Sequence, residues 1–499
     1  MRRSIIAHDL GTSGDKASLH AADGRLLASH TARYPVDFGP GGRAEQDPAD
    51  WWSAFCAATR ALLADTGTTA DEIACVALSG QMQSLVLVDA SDQPVRPAII
   101  WADTRASTER DVLAQRVGAE RAFEIMGHRP DATYTLPKAM WVREHEPDVF
   151  ARADGILVAK DYVTLRATGH RCTDPSDASG TNAYDQRAGT WSSELLAAAE
   201  LDAALLPPIV PSATVAGGLT ADAAAATGLD AGTPVVVGGG DGACAALGAG
   251  LVGPGLDANV TLGSSAWLSV ATGAPVRDPL RRTVTFDHVV PGSYLPLGAM
   301  QAAGASLDWL ASVLDVAPGA ELQGLLAAAG DVEAAGEGLF FLPYLMGERA
   351  PIWDARARGT FVGLARHHGR AHLARAVLEG VAFSLGAILV SLRDVLPEGQ
   401  VIEAVEAIGG GARNDLWLGL MADTWGLSVH RRTVVDEANS LGAAVVGGMA
   451  VGLLDDWAVA RSLSRIDAVF EPDPVRHARL AKGAERFLDL YARLGTWFT

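Results

Sequence analysis

Apolar residues in this chain fall into short unbroken runs, separated by longer stretches in which they recur every three or four positions. The runs at 4–7, 73–78, 85–88, 235–237 and 405–408 predict strands buried on both faces, since a strand with one wet face would alternate polar and apolar residues. Segments 48–63, 222–227 and 372–392 carry helical spacing, and Asp47 followed by Pro48 reads as a cap and first turn. Strands alternating with helices predict layered α/β architecture.

Several of these strands run into small-residue turns. Asp9 leaves the first strand into Gly11, Thr12, Ser13 and Gly14, with Lys16 just beyond. Such a turn lets backbone N–H groups and hydroxyls approach phosphate oxygens, while an aspartate at the strand end suits the magnesium that accompanies a nucleotide. The tetrad LGTS at 10–13 is echoed by LGSS at 262–265, so the two halves begin alike. Two further clusters follow strands: GGGDGA, with Asp241 at its tip, and GGGARND, where Gly410, Gly411 and Asn414 precede a helix. A glycine triplet serves either close approach to a flat or anionic ligand or merely a tight turn. None of the four matches GxxxxGK[ST], and none has the GxGxxG pattern of a dinucleotide fold.

With 499 residues the chain is too long for one ordinary core and divides into two units, with a junction expected in the glycine-rich tract 238–255, where a hinge would form easily. Hydrophobic residues at 49% and charged residues at 20% predict a globular protein. A net charge of −19 argues against nucleic acid or an anionic membrane as partner. The first residues are too poor in apolar character for a signal segment, and no run has the length of a membrane span. Four cysteines without CxxC spacing, Cys56, Cys75, Cys172 and Cys244, predict free thiols in a reducing cytoplasm.

These motifs resemble those of the FGGY carbohydrate kinases, and within them the xylulokinases, over nearly the whole chain. DLGTSGDK is similar to the family's first phosphate motif, GGGDGA to its catalytic-aspartate segment, TLGSSAW to its second phosphate loop and AIGGGARND to its adenosine motif. LPYLMGERAPIWDARARGTFVGL at 342–364 is similar to the C-terminal signature, and SGQMQSLVLVD, RPAIIWADTR, LPKAMWVREHEPDVFA, KDYVTLRATG and SDASGT are similar to xylulokinase segments. The resemblance implies two actin-like, ribonuclease-H-like domains, 1–248 and 249–499, binding sugar and ATP in the cleft between them, and a homodimer.

On this resemblance Asp241 is the base that takes the proton of the acceptor hydroxyl, and Asp9 holds Mg2+. Thr12, Ser13, Lys16, Gly263, Ser264 and Ser265 take the phosphates, and Gly410, Gly411 and Asn414 the adenosine. Met82, Gln83, Trp101 and Asp103 join Asp241 on the sugar side, Trp101 stacking on the apolar face of the sugar and Asp103 accepting its hydroxyls. His8 reads as a core histidine. The chain departs from xylulokinases at Gln83, where they carry histidine, and at Gly242, where they commonly carry a polar residue. Three readings follow: a ketopentose kinase most like one for D-xylulose; a kinase of the same fold for another pentulose or a polyol of the erythritol or glycerol type; and an actin-like or Hsp70-like ATP-driven interaction protein.

Overall fold

The computed structural model describes residues 3–255, 257–333 and 335–498. Two mixed sheets dominate it. The first holds β1 (Ser4–Leu10), β2 (Gly14–Ala21), β3 (Leu26–Arg33), β4 (Ile73–Gly80), β5 (Val215–Gly218) and β6 (Pro234–Gly240), in the spatial order β3-β2-β1-β4-β6-β5. The second holds β7 (Asp257–Leu262), β8 (Ala266–Val270), β9 (Val284–Asp287), β10 (Tyr294–Met300), β11 (Ala404–Ile408), β12 (Ser428–Arg432) and β13 (Ile466–Phe470), in the order β9-β10-β8-β7-β11-β12-β13.

Apart from the added edge strand β9, the sheets repeat one plan. Each opens with an antiparallel hairpin, β1–β2 or β7–β8, and its first strand pairs in parallel with a later one, β4 or β11. A second parallel neighbour follows, β6 or β12, and an antiparallel edge strand closes each sheet, β5 or β13. The echoed tetrads are the turns of equivalent hairpins.

The strands expected at 4–7, 73–78 and 235–237 are present, each extended by two or three residues toward its glycine turn, and those expected at 85–88 and 405–408 appear as Val86–Val88 and Ala404–Ile408. β4 is buried along its whole length and so is Ala404–Ile408, as central parallel strands require. Helix α1 (Pro48–Thr66) begins where expected: Asp47 accepts a hydrogen bond from the Ala49 N–H at 2.9 Å, and Gly67 at φ +69° ends the helix. Five further helices matter here: α2 (Thr135–His145), α3 (Asp241–Gly248), α4 (Arg370–Arg393), α5 (Asp415–Trp425) and α6 (Ala438–Ala450). α4 is long and apolar enough to cross a membrane, yet 78% of its apolar window is buried against the second sheet, where it forms the core of that half.

The glycine-rich tract is not the loose connector expected. Its first three glycines finish β6, and its next eight residues are α3, buried from Ala243 to Gly248. The equivalent helix of the second half, α6, crosses it so closely that a Cβ on Gly442 would lie 2.0 Å from the Cys244 carbonyl oxygen, and one on Gly248 would lie 1.9 Å from that of Ala438. Leu441, Ala444 and Val445 of α6 pack in one cluster with Ile5, Ala7, Cys75 and Val236 of the first sheet, so the halves share a core at the crossing.

Candidate active site

A cavity of about 460 Å³ opens between the two halves. The first half lines it with Met82, Gln83, Trp101, Asp131 and Asp241, the second with Ser264, Ser265, Trp267, Asp287 and Arg349, among others. Asp241 is the first residue of α3, at the point where β6 leaves the sheet, and its Oδ1 accepts from the Gly242 N–H at 2.7 Å. Burial and then the charge of Asp9 push its carboxyl up to about 7, a value suited to exchanging a proton near neutrality. A Cβ added at Gly242 would meet nothing within 4 Å, so the cavity keeps the space that a polar side chain would fill there.

Asp9 is the penultimate residue of β1, paired with Ser79 of β4. Ser79 donates to its Oδ1 at 3.2 Å, and Asn439 of the opposite half donates weakly at 3.4 Å. Burial raises its pKa, and among the other influences Lys16, directly opposite in the hairpin, pulls it back down. A desolvated carboxylate with so little cationic compensation is a hard-oxygen donor matched to a divalent ion. Lys16 itself donates to the Asp436 carbonyl at 2.8 Å and bridges the two halves. His8 is a core residue, held between Asp15 at 2.7 Å and Thr59 at 3.1 Å.

The carbonyls of the first turn are fastened from behind. Tyr34 Oη donates to Gly11 at 2.5 Å and Gln46 to Thr12 at 2.7 Å. The Trp101 indole N–H donates to the Thr12 hydroxyl at 2.8 Å, leaving the hydroxyl proton free for a ligand, while Ser13 is exposed. Residues 303–305 fasten the second turn in the same way, donating to the carbonyls of Gly263 and Ser264 at 2.8–3.0 Å. Gly263 and Ser264 are exposed and Ser265 is half-buried.

Asp103 is placed otherwise than the sequence led us to expect. It is fully buried behind the cavity wall, bonded to the Ala44 N–H at 2.6 Å and paired with Arg105 at 2.6 Å, so its oxygens are not available to a sugar. Trp101, 36% exposed, does face the cavity. Gly410, Gly411 and Asn414 lie outside the cavity wall, at the end of β11 next to the second turn; Gly409, at φ +86°, passes Leu262 so closely that a Cβ would come within 2.6 Å of its carbonyl oxygen. Asn414 caps α5 by accepting from the Trp417 N–H at 3.1 Å.

Other cavity groups were not foreseen. Asp131 Oδ1 accepts from both the amide and the hydroxyl of Thr133, at 2.9 and 2.7 Å. Asp287, raised to about 7 chiefly by burial, accepts from Tyr184 and Gln186 across the domain boundary. Arg129 stacks over Trp353 with 5.4 Å to the ring centroid. Beneath Gln301 and Arg349 lies Glu348, which accepts both their amide N–H groups and is pushed up to about 8 by burial. Only the GERAP stretch around Glu348 carried a signal in sequence; Asp131 and Asp287 become cavity residues through tertiary placement.

Comparison with known proteins agrees with this geometry. Residues 4–248 match the FGGY family of carbohydrate kinases, N-terminal domain, and residues 258–451 match its C-terminal domain. The chain is 35% identical over 494 residues to the xylulose kinase of Escherichia coli K12, covering 98% of this chain and 99% of that one. It is 32% identical over 492 residues to a glycerol kinase of Dechloromonas aromatica, covering 96% and 95%. The crystal structure of xylulose kinase from Rhodospirillum rubrum superposes with a TM-score of 0.91 at 32% identity, covering 99% of this chain and 100% of that one. The cleft, the duplicated sheets and the full-length matches agree: the chain belongs to the FGGY family of carbohydrate kinases.

Proposed function

We propose that this carbohydrate kinase transfers the γ-phosphoryl group of ATP to D-xylulose, giving D-xylulose 5-phosphate. The observation that carries the reading is the position of Asp241, on the cavity wall with Gln83 and Trp101 and across from the Ser264–Ser265 turn. In this reading the acceptor hydroxyl lies against Asp241, which takes its proton as the new O–P bond forms and the bond to the departing ADP oxygen breaks. Thr12, Ser13, Lys16, Gly263, Ser264 and Ser265 hold the phosphates, while Gly410, Gly411 and Asn414 border the adenosine. Mg2+, held by Asp9, would neutralise phosphate charge. Met82, Gln83 and Trp101 orient the sugar. We assign the domains to 1–248 and 249–499 and the enzyme to the cytoplasm, in keeping with four free cysteines.

A second reading keeps the chemistry and changes the acceptor to another pentulose or a polyol. The open space at Gly242 and the glutamine at 83 favour it. ADP release measured against a panel of ketopentoses, ketohexoses and polyols separates the two. D-xylulose should give the highest kcat/KM, and Gln83→His should raise its lead over the other ketoses. A polyol at the head of the panel would replace the first reading with the second, and ADP release independent of every sugar would defeat both.

A further inference from the structure

We propose that Lys138 is a positioning residue that holds three separate walls of the sugar site in register. The inference rests on the sugar-kinase reading and extends it to a residue that touches no substrate. Lys138 lies in α2 and is fully buried. Its ammonium donates to the carbonyls of Gln83 at 2.8 Å, Ile100 at 2.8 Å and Thr133 at 2.5 Å, so three protons meet three acceptors. Among the described residues no carboxylate lies within ion-pair distance of its Nζ.

A buried ammonium without an ion-pair partner is costly unless every donor is used, and here the acceptors come from three segments far apart in sequence. Each segment supplies the cavity: Gln83 and Thr133 line it directly, and Ile100 precedes Trp101. Thr133 in turn holds Asp131. Gln83 sits at φ +66°, in the left-handed region that residues with a Cβ seldom occupy, and the bond from Lys138 to its carbonyl holds the backbone in that state. One ammonium therefore fixes the relative positions of the groups expected to read the sugar, while the phosphate turns have fasteners of their own in Tyr34, Gln46 and residues 303–305.

The test compares Lys138→Met, which removes all three donors, with Lys138→Gln, which keeps two on a shorter arm. Lys138→Met should raise the KM for the preferred sugar at least tenfold, leave the KM for ATP within twofold and narrow the spread of kcat/KM across the sugar panel; Lys138→Gln should fall between it and the parent. A folded Lys138→Met enzyme with unchanged sugar KM, or with sugar KM, ATP KM and kcat impaired in parallel, overturns the proposal. Should both variants fail to fold, hydrogen–deuterium exchange on the parent enzyme decides: adding the sugar without nucleotide should protect segments 81–84, 99–102 and 131–134 together, and protection of one segment alone overturns it. A parent enzyme that turns over no sugar defeats the functional reading instead, which separates the two failures.

Discussion

The two hairpins that open the sheets share a turn sequence and differ in what they place around it. In the first, Leu10 pairs with Asp15 and four residues form the loop; in the second, Leu262 pairs with Ala266 and three suffice. The position before the leucine is Asp9 in one and Thr261 in the other, and their cross-strand partners are Lys16 and Trp267. One hairpin thus presents a charged pair and the other a hydroxyl beside an indole that lines the cavity. Repetition preserved the backbone scaffold, while the ionic chemistry was concentrated in a single copy.

The sharpest way to break that comparison is to remove the acids on one side and the matched residue on the other. Asp241→Asn should lower kcat by roughly a hundredfold to ten-thousandfold while sugar binding, read by calorimetry, persists. Asp9→Asn should cost about a hundredfold or more. Thr261→Val, at the matched position, should stay within about threefold in the same ADP-release assay. Equal losses at 9 and 261 would mean that both hairpins carry the charge work. A smaller effect is expected at the second turn, where Ser264→Ala should raise the KM for ATP by about tenfold with little change for the sugar, as loss of one hydrogen bond to a charged group implies.

The pH dependence sharpens the picture further. With Asp241 raised to about 7, kcat/KM for the sugar should fall as pH drops below that value, and the fall should vanish in Asp241→Asn. Stability moves the other way. The folded carboxyl holds its proton up to about pH 7, whereas the unfolded one releases it near its ordinary value of 3.8, so this group's favourable contribution is complete below the lower value and lost as pH rises through the upper. Asp241→Asn should therefore melt higher than the parent at pH 8, with the gap closing toward pH 4. Calorimetric scans across that range check it.

Much of this arrangement was legible in sequence because it is local. Strand ends, caps and glycine turns depend on neighbours a few residues away, and so Asp9, Asp241 and both hairpin turns could be singled out. Asp103 could not be read correctly: its partner Arg105 stands two positions on, yet their burial depends on Glu45 and Ala44 from a distant strand. The same holds for Asp131, Asp287 and the carbonyls around Lys138, which no spacing brings together. The tract at 238–255 misled for a related reason: small residues that read as slack in one dimension were selected for contact with a second helix.

That contact bears on how the halves can be taken apart. Since α6 delivers its side chains to the sheet of the other lobe, a polypeptide ending near residue 248 would expose Ile5, Ala7, Cys75 and Val236 to water. The core of the first lobe is thus finished by a helix borrowed from the second. Where the two helices cross, main chain lies on main chain at Gly248 and Gly442, and not even a methyl group fits between them.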